Sequence, residues 1–493
     1  MKAEPAAGDE TELPERKLPA DFKLTREAQA TIRGERVPYR VTVGTQPVYG
    51  EDGATIAALH YTYYERTGVP DVARRPLFIS FNGGPGSGSL WMHLGYTSPK
   101  LLVIDDEGYP VQPYGVRDNP HSIIDVADIV YVNPVNTGFS RVLDPEIDRE
   151  TFFGVEADVT YLADWIDTFV SRRGRWRSPK YLIGESYGTT RVSGLAGQLQ
   201  NRHWMYLNGV VLVSPTGLGM TPEGGPAPRT PVLKLPYYAA AAHYHGQLAD
   251  DLQALPLGEL LEEVERFTLD EYLPALSRGG FLAAETRAEI ARRVARYSGL
   301  SEAFVLDHNL AVPASAFWKE LLRDQGFTIG RLDSRYLGRD RKDAGDTYDY
   351  PAELTSWNHA FAPAINHYLR EELGFTTDLR YYLFGPVRPW EGRGEVDVAE
   401  ELRRAMAQNP YLHVMVQSGY YDGATDYFTA KYVLWNLDPS GRLTDRMRFE
   451  GYESGHMMYL RRVDLETSNQ HIREFIEAST PEPGEPAKYT LER

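Results

Sequence analysis

Cysteine is absent from this chain of 493 residues. Its absence excludes disulfide bonds, zinc or iron–sulfur sites built on thiolates, and a cysteine nucleophile. The absence does not identify a cellular compartment, because an exported protein can also lack cysteine. If the protein performs covalent catalysis, it uses another nucleophile.

Basic residues are in the minority. The 52 Lys and Arg residues face 69 Asp and Glu residues, which gives a formal net charge of −17. Because nucleic acids and anionic membranes are bound through basic patches, we expect neither as a partner. The chain is 42% hydrophobic and 12% aromatic, which is enough to form a folded core.

Long apolar runs are lacking as well. No stretch of about 18 uncharged apolar residues occurs, so we expect no membrane insertion. Residues 1–12 contain no apolar segment of the kind found in a secretory leader. Two locations stay open: the periplasm or the exterior after removal of a leader, and otherwise the cytoplasm. The sequence indicates no particular oligomeric state.

The first half of the chain has the pattern of an α/β domain. Residues 1–24 are rich in Pro, Glu and Lys and are predicted to form a flexible tail. Beyond them, alternating strands give way to short apolar runs separated by helical spacing, which indicates a mostly parallel sheet flanked by helices. The predicted strands are 29–32, 37–43, 56–64, 76–81, 128–132, 180–183 and 208–215, and the predicted helices are 154–170 and 189–199.

The pattern changes after residue 215. Residues 216–400 show amphipathic helices and loops, and alternation returns only at 411–417 and 446–452. We therefore predict one α/β core in two parts, 25–215 and 401–493, interrupted by a large, mainly helical cap at 216–400.

The strongest local motif is Gly-Glu-Ser-Tyr-Gly at residues 184–188, between a predicted strand and a predicted helix. A nucleophilic serine in this context occupies a sharp turn, and glycine on either side lets the neighbouring backbone approach. The alternative is a chance occurrence in a loop, which the strand–turn–helix context disfavours. Ser186 is the candidate nucleophile.

A serine nucleophile needs a base, and the base needs a carboxylate that orients it. Asp422 follows the predicted strand 411–417, and His456 follows the predicted strand 446–452. Alone, each residue could be an ordinary loop residue. With Ser186 they follow the chain order nucleophile, acid, histidine that this architecture requires.

Glycines also follow the predicted strand 76–81. Residues 82–88 (Asn-Gly-Gly-Pro-Gly-Ser-Gly) can turn backbone N–H groups toward a tetrahedral intermediate. We expect the amides of Gly84 and Tyr187 to form the oxyanion hole. The competing interpretation, a phosphate-binding loop, lacks the lysine and hydroxyl residue of that motif.

These motifs resemble those of the serine carboxypeptidase family. The resemblance includes residues 119–122 (Asn-Pro-His-Ser) and 133–140 (Asn-Pro-Val-Asn-Thr-Gly-Phe-Ser) and covers roughly 30–215 and 405–460. The segment from Leu235 onward more loosely resembles the insertion of bacterial-type members. The resemblance implies an α/β-hydrolase fold and removal of single residues from peptide or protein C-termini through an acyl-enzyme.

The resemblance also assigns roles to matching residues. It implies Ser186 as nucleophile, His456 as general base and Asp422 as the residue that orients the histidine. The oxyanion hole again falls to Gly84 and Tyr187. The positions that hold the terminal carboxylate of the substrate are Asn82, Gly83 and Glu185.

Glu185 can bind a carboxylate only when it is protonated, because two carboxylates repel each other. Substrate binding is therefore expected to improve at acid pH. The family's second glutamate, which partners the first, falls here on Tyr96, and a family cysteine is replaced by Ser87. The missing carboxyl pair predicts a pH preference nearer neutral than in eukaryotic relatives.

Two other functions stay open. The same scaffold serves acyltransferases and esterases, in which an alcohol or amine intercepts the acyl-enzyme or an ester is the substrate. A non-catalytic binding protein is disfavoured by the complete triad. We expect no cofactor. We also expect no metal, because His243 and His245 would point apart on a helix.

Overall fold

The computed structural model describes residues 16–220, 232–392 and 397–489. Its centre is a ten-stranded sheet in the order β1-β2-β3-β7-β4-β9-β10-β13-β14, with β8 paired to β3. The strands are β1 Phe22–Ile32, β2 Glu35–Tyr49, β3 Thr55–Arg66, β4 Leu77–Phe81, β5 Lys100–Leu102, β6 Val116–Asp118, β7 Asp128–Val132, β8 Arg141–Val142, β9 Lys180–Glu185, β10 Gly209–Val213, β11 Thr328–Ile329, β12 Leu337–Gly338, β13 His413–Gly419 and β14 Met447–Tyr452.

The sheet has an antiparallel end and a parallel end. The long strands β1, β2 and β3 pair antiparallel with one another, and β3 continues antiparallel onto β7. From β7 to β14 every neighbouring pair is parallel. The predicted, mostly parallel sheet is confirmed. The carboxyl ends of its parallel strands meet at one edge, where α/β proteins place their sites.

Helices cover the sheet and fill the long connection between β10 and β13. They are α1 Leu90–Met92, α2 Val155–Arg172, α3 Tyr187–Arg202, α4 Leu235–Tyr244, α5 Asp250–Gln253, α6 Leu257–Phe267, α7 Leu273–Leu276, α8 Ala284–Ser298, α9 Glu302–Asp307, α10 Ala314–Glu320, α11 Ala352–His367, α12 Val398–Gln408, α13 Tyr427–Leu437 and α14 Arg462–Ser479.

Successive strand residues alternate between two apolar layers. On β9, Tyr181 and Ile183 pack with α11 and α14, whereas Leu182 packs on the opposite face with α2 and α3. This period of two is what a pleated strand buried on both faces requires. It explains why these strands read as continuous apolar runs in the sequence.

The connection between β10 and β13 belongs to two different parts of the fold. Buried residues from Val232 to Ile329 form an apolar cluster of their own. Helix α11 does not join it, because Trp357 and Phe361 pack into the layer beneath the sheet. Residues 352–369 of the predicted cap therefore cover the core. Residues 221–231 and 393–396, also assigned to the cap, lie outside the described residues.

The boundaries of the core also differ from the predicted ones. Helix α12 begins at Val398, before the predicted restart at 401, and its Leu402 and Met406 join the same layer as α3. Strand β1 begins at Phe22, inside the predicted tail of 1–24, and pairs with β2. Residues 1–15 of that tail lie outside the described residues. Among the described helices, none is long and apolar enough to cross a membrane.

Candidate active site

Ser186 occupies the turn between β9 and α3. Its backbone lies at φ 57° and ψ −127°, a conformation that non-glycine residues rarely adopt. A Cβ atom on Gly184 would lie 2.2 Å from the carbonyl oxygen of Gly188, so this position accepts only glycine. The turn lifts Ser186 out of the sheet and leaves its side chain partly exposed next to the helix N-terminus.

Asp422 and His456 meet above the ends of two adjacent parallel strands. Asp422 follows β13 and His456 follows β14, and His456 Nδ1 lies 2.6 Å from Asp422 Oδ2. Because Nδ1 faces the carboxylate, it carries the proton, and Nε2 remains to accept one. This is the orientation that a histidine base requires.

The carboxylate of Asp422 is fixed by further donors. Oδ1 accepts the backbone N–H groups of Ala424 at 2.9 Å and Thr425 at 3.1 Å. Oδ2 accepts the Thr425 hydroxyl at 2.7 Å in addition to the histidine. The side chain is fully buried, so it has no freedom to turn away from His456.

The end of strand β10 connects the histidine to the nucleophile. Ser186 donates its backbone N–H to the Val213 carbonyl at 3.0 Å. The next residue, Ser214, donates its hydroxyl to the His456 carbonyl at 2.7 Å. In the described residues no hydrogen bond joins Ser186 Oγ to His456. Catalytic hydrogen bonds of this kind often tighten only when substrate binds.

Two buried carboxylates act on His456 from different sides. Burial lowers the pKa of His456, but the charges of Asp422 and Glu185 outweigh it and leave the pKa above its usual value. Glu185 Oε1 lies 4.0 Å from His456 Nε2. The ring is thus held close both to its orienting acid and to the residue that precedes the nucleophile.

Glu185 is almost completely buried, with 2% of its surface exposed. Burial raises its pKa to about 7, against the opposing effects of His456 and of hydrogen bonds from Tyr459 and Asn82. Tyr459 donates its hydroxyl to Oε2 at 2.8 Å, and Asn82 donates to the same oxygen. Oε1 has no hydrogen-bond partner in the described residues. A buried acid that is protonated near neutral pH can donate to a ligand.

The side chain of Asn82 is oriented by a second contact. Its Oδ1 accepts the backbone N–H of Met92 at 3.0 Å, which turns Nδ2 toward Glu185. Asn82 and Glu185, both predicted as carboxylate-binding residues, are therefore adjacent. Asn82 lies directly after β4 and Glu185 at the end of β9, two neighbouring parallel strands.

The loop of residues 82–88 lies against the serine turn. A Cβ on Gly83 would lie 2.5 Å from the backbone nitrogen of Tyr187, so only glycine permits this approach. The amides of Gly83 and Gly84 make no hydrogen bond within the described part of the chain. The glycine loop and the serine turn therefore lie in close contact beside Ser186, where an oxyanion would develop.

Tyr459 is a site residue that the sequence analysis did not identify. Its ring stacks on Tyr96 at a centroid distance of 4.7 Å. Tyr96 itself turns away from Glu185 and donates its hydroxyl to Gln417 Oε1 at 2.6 Å. Besides the hydrogen bond from Asn82, the glutamate therefore accepts one from a tyrosine three positions after His456, a proximity in sequence that could have pointed to it.

The sequence also gave no sign of a metal site. Across the described ranges, no group of three or more His, Asp or Glu side chains could hold a metal ion. His243 and His245 each bond to a backbone carbonyl, of Leu255 and Ser334 respectively.

Comparisons with known proteins find similarity to serine carboxypeptidases. The serine carboxypeptidase family model matches residues 49–216. Serine carboxypeptidase-like 36 of Arabidopsis thaliana is 29% identical over 164 residues, 32% of this chain and 31% of that protein. The chain thus spans about a third of the length of this curated relative.

A solved structure extends the likeness of the fold over most of the chain. The crystal structure of Kex1Δp, a prohormone-processing carboxypeptidase from Saccharomyces cerevisiae, matches with a TM-score of 0.53 at 14% identity. The match covers 89% of this chain and 91% of that chain. The fold is that of an α/β hydrolase, and about a third of the chain, residues 49–216, is similar to the serine carboxypeptidase family.

Proposed function

We propose that the protein is a serine carboxypeptidase that removes the C-terminal residue from peptides or proteins. The observation that carries the proposal is the buried Glu185, whose pKa of about 7 leaves it protonated below neutral pH. It lies beside Asn82 and next to the nucleophile, where a substrate carboxylate can accept hydrogen bonds from both. A hydrolase acting on neutral esters has no need of such a site.

In the proposed reaction, Ser186 Oγ attacks the carbonyl carbon of the last peptide bond while His456 Nε2 takes its proton. The amides of Gly84 and Tyr187 stabilise the resulting oxyanion. His456 then gives the proton to the departing amine, which leaves the acyl group on Ser186. Water, deprotonated by the same histidine, releases the shortened peptide.

The carboxylate site determines where on a peptide the enzyme acts. Asn82, the Gly83 amide and protonated Glu185 would hold the terminal carboxylate, so that the last peptide bond lies over Ser186. The formal net charge of −17 makes the overall field unfavourable for a negative chain end. Recognition therefore depends on these local donors.

A fluorophosphonate label combined with two matched substrates tests the proposal. We expect the probe to label Ser186, and we expect kcat/KM to be higher for a blocked dipeptide with a free carboxylate than for its C-terminal amide. Labelling with a preference for esters would instead support an esterase or acyltransferase. Absence of labelling would support a non-catalytic protein, and both of these results contradict the proposal.

The Michaelis constant should depend on pH through Glu185. Because the protonated acid binds the substrate and the ionised acid repels it, KM should be constant below the glutamate pKa of about 7 and rise above it. The rise approaches ~10-fold per pH unit if only the protonated form binds. The amide substrate serves as control, because it has no terminal charge and its KM should not follow this curve.

A conservative variant sharpens this measurement. The hydrogen bond from Tyr459 stabilises the ionised form of Glu185 and so lowers its pKa. Tyr459→Phe should therefore raise the glutamate pKa further and move the rise in KM to higher pH. A KM for the free acid that is flat from about pH 4 to 8 in the wild type would contradict the role of Glu185.

A further inference from the structure

Arg191 is a fully buried cation next to the candidate active site that the reaction steps do not use. It lies on α3, the helix that begins directly after Ser186, and has 0% of its surface exposed. Its Nε donates to Asp158 Oδ2 at 2.7 Å, and Asp158 is equally buried. Asp158 lies on α2 and also accepts the Tyr161 hydroxyl at 3.1 Å. The ion pair thus joins two helices behind the serine turn.

The other nitrogens of the guanidinium contact the loop of residues 82–88. Nη1 donates to the Asn82 carbonyl at 2.7 Å, and Nη2 donates to the Pro85 carbonyl at 3.3 Å. These two carbonyls flank the residues whose amides make no other hydrogen bond, Gly83 and Gly84. One rigid side chain therefore holds both ends of the segment that presents the donors.

The contact to Asn82 fixes the direction of the next N–H group. In a trans peptide unit the carbonyl and the following N–H point in opposite directions. Because Arg191 holds the Asn82 carbonyl on the α3 side, the Gly83 N–H points to the other face of the loop. The Gly83 carbonyl accepts the Ser87 N–H at 3.0 Å, which sets the direction of the Gly84 N–H in the same way.

Arg191 also contacts the segment that carries the second oxyanion donor. Its guanidinium carbon lies 5.2 Å from the centroid of the Tyr187 ring. The same side chain therefore touches both of the segments that meet beside Ser186. Lysine cannot reproduce these contacts, because an ammonium group lacks the planar fork that reaches three acceptors at once.

We propose that Arg191, oriented by Asp158, is a positioning residue that aims the Gly83 and Gly84 amides at the substrate, a role that rests on the proposed carboxypeptidase function. Gly83 binds the carboxylate, so its misalignment affects only substrates with a free acid. Gly84 binds the oxyanion, so its misalignment lowers kcat for free acids and amides alike. A residue that only stabilised the fold would leave the preference for acid over amide unchanged.

The test compares R191K with R175K. Arg175 forms a similarly buried ion pair with Asp128 at 2.6 Å but bonds to Tyr63 and to the backbone just before β4, away from the site. We measure kcat and KM for the blocked dipeptide and its amide, together with the melting temperature. R191K should lower kcat/KM for the free acid by ~10–100-fold and reduce the acid-to-amide ratio. R175K should lower only the melting temperature.

The outcomes separate the two proposals. If R191K keeps the wild-type acid-to-amide ratio of kcat/KM, the positioning role of Arg191 is overturned. A wild-type enzyme that shows no preference for the free acid contradicts the carboxypeptidase function itself, whatever R191K does. If R191K does not fold, D158N is measured in the same way. This variant keeps the guanidinium of Arg191 but removes the charge that orients it. A wild-type acid-to-amide ratio of kcat/KM in D158N would also overturn the positioning role.

Discussion

Replacing Ser186 with alanine should lower kcat for peptide hydrolysis by ~10⁴-fold or more, because the acyl-enzyme can no longer form. The contacts of the side chain give no reason to expect a loss of stability, since only the backbone of Ser186 takes part in the turn. KM should change little, because the carboxylate site is intact. Steady-state kinetics with the blocked dipeptide and labelling by the fluorophosphonate measure both effects.

Ser193 provides the matched control for this substitution. It lies on α3, the helix that follows Ser186, and is fully buried, and its hydroxyl has no hydrogen-bond partner within the described ranges. Ser193→Ala should therefore retain wild-type kcat and full labelling. If the Ser186→Ala enzyme kept its activity, the nucleophile would have to be another residue.

Asp422→Asn should lower kcat at neutral pH by ~10⁴-fold. The carboxylate keeps the proton of His456 on Nδ1, and a neutral amide no longer enforces that tautomer. The negative charge of Asp422 also raises the pKa of His456, so its removal should shift the acid limb of the kcat profile to lower pH. A pH series of kcat therefore reports both the loss of rate and the change in the histidine.

Asp426, a nearby acid, provides a control variant that distinguishes an effect on catalysis from an effect on loop stability. It is also buried, caps α13 through the Thr429 N–H at 2.9 Å and pairs with Lys234 at 2.9 Å. Asp426→Asn should lower the melting temperature and leave the pH dependence of kcat unchanged. An equal loss of kcat in both variants would mean that Asp422 supports the loop and does not orient the histidine.

Much of the core could be predicted from sequence because its signals are local. After their first residues, Asp128 and Lys180, the runs at 128–132 and 180–183 are apolar, as strands buried on both faces must be, and both form strands at these places. The serine turn was recognisable because a strained backbone restricts the residues on either side. Helix α14, which follows the histidine loop, was not among the predicted elements.

The rest depends on contacts between distant segments. Nothing near Arg191 in the sequence indicates that its guanidinium reaches the Asn82 carbonyl, because only the packing of α3 against the loop brings them together. Tyr459 likewise acquires its role from the fold that places it over Glu185. The predicted cap is too long because helix α11 would show the same amphipathic pattern whether it packed on a cap or on the core. The layer that it packs against is visible only in the three-dimensional structure.

The order of the site residues along the chain bears on how the activity arises during synthesis. Ser186 and the loop of residues 82–88 are made early, whereas the Asp422–His456 pair comes after the whole cap, on two strands that complete the parallel end of the sheet. Because a ribosome releases the chain from its N-terminus, a nascent polypeptide carries a nucleophile long before it has a base. The proposed peptidase therefore cannot act before both of these strands have been made.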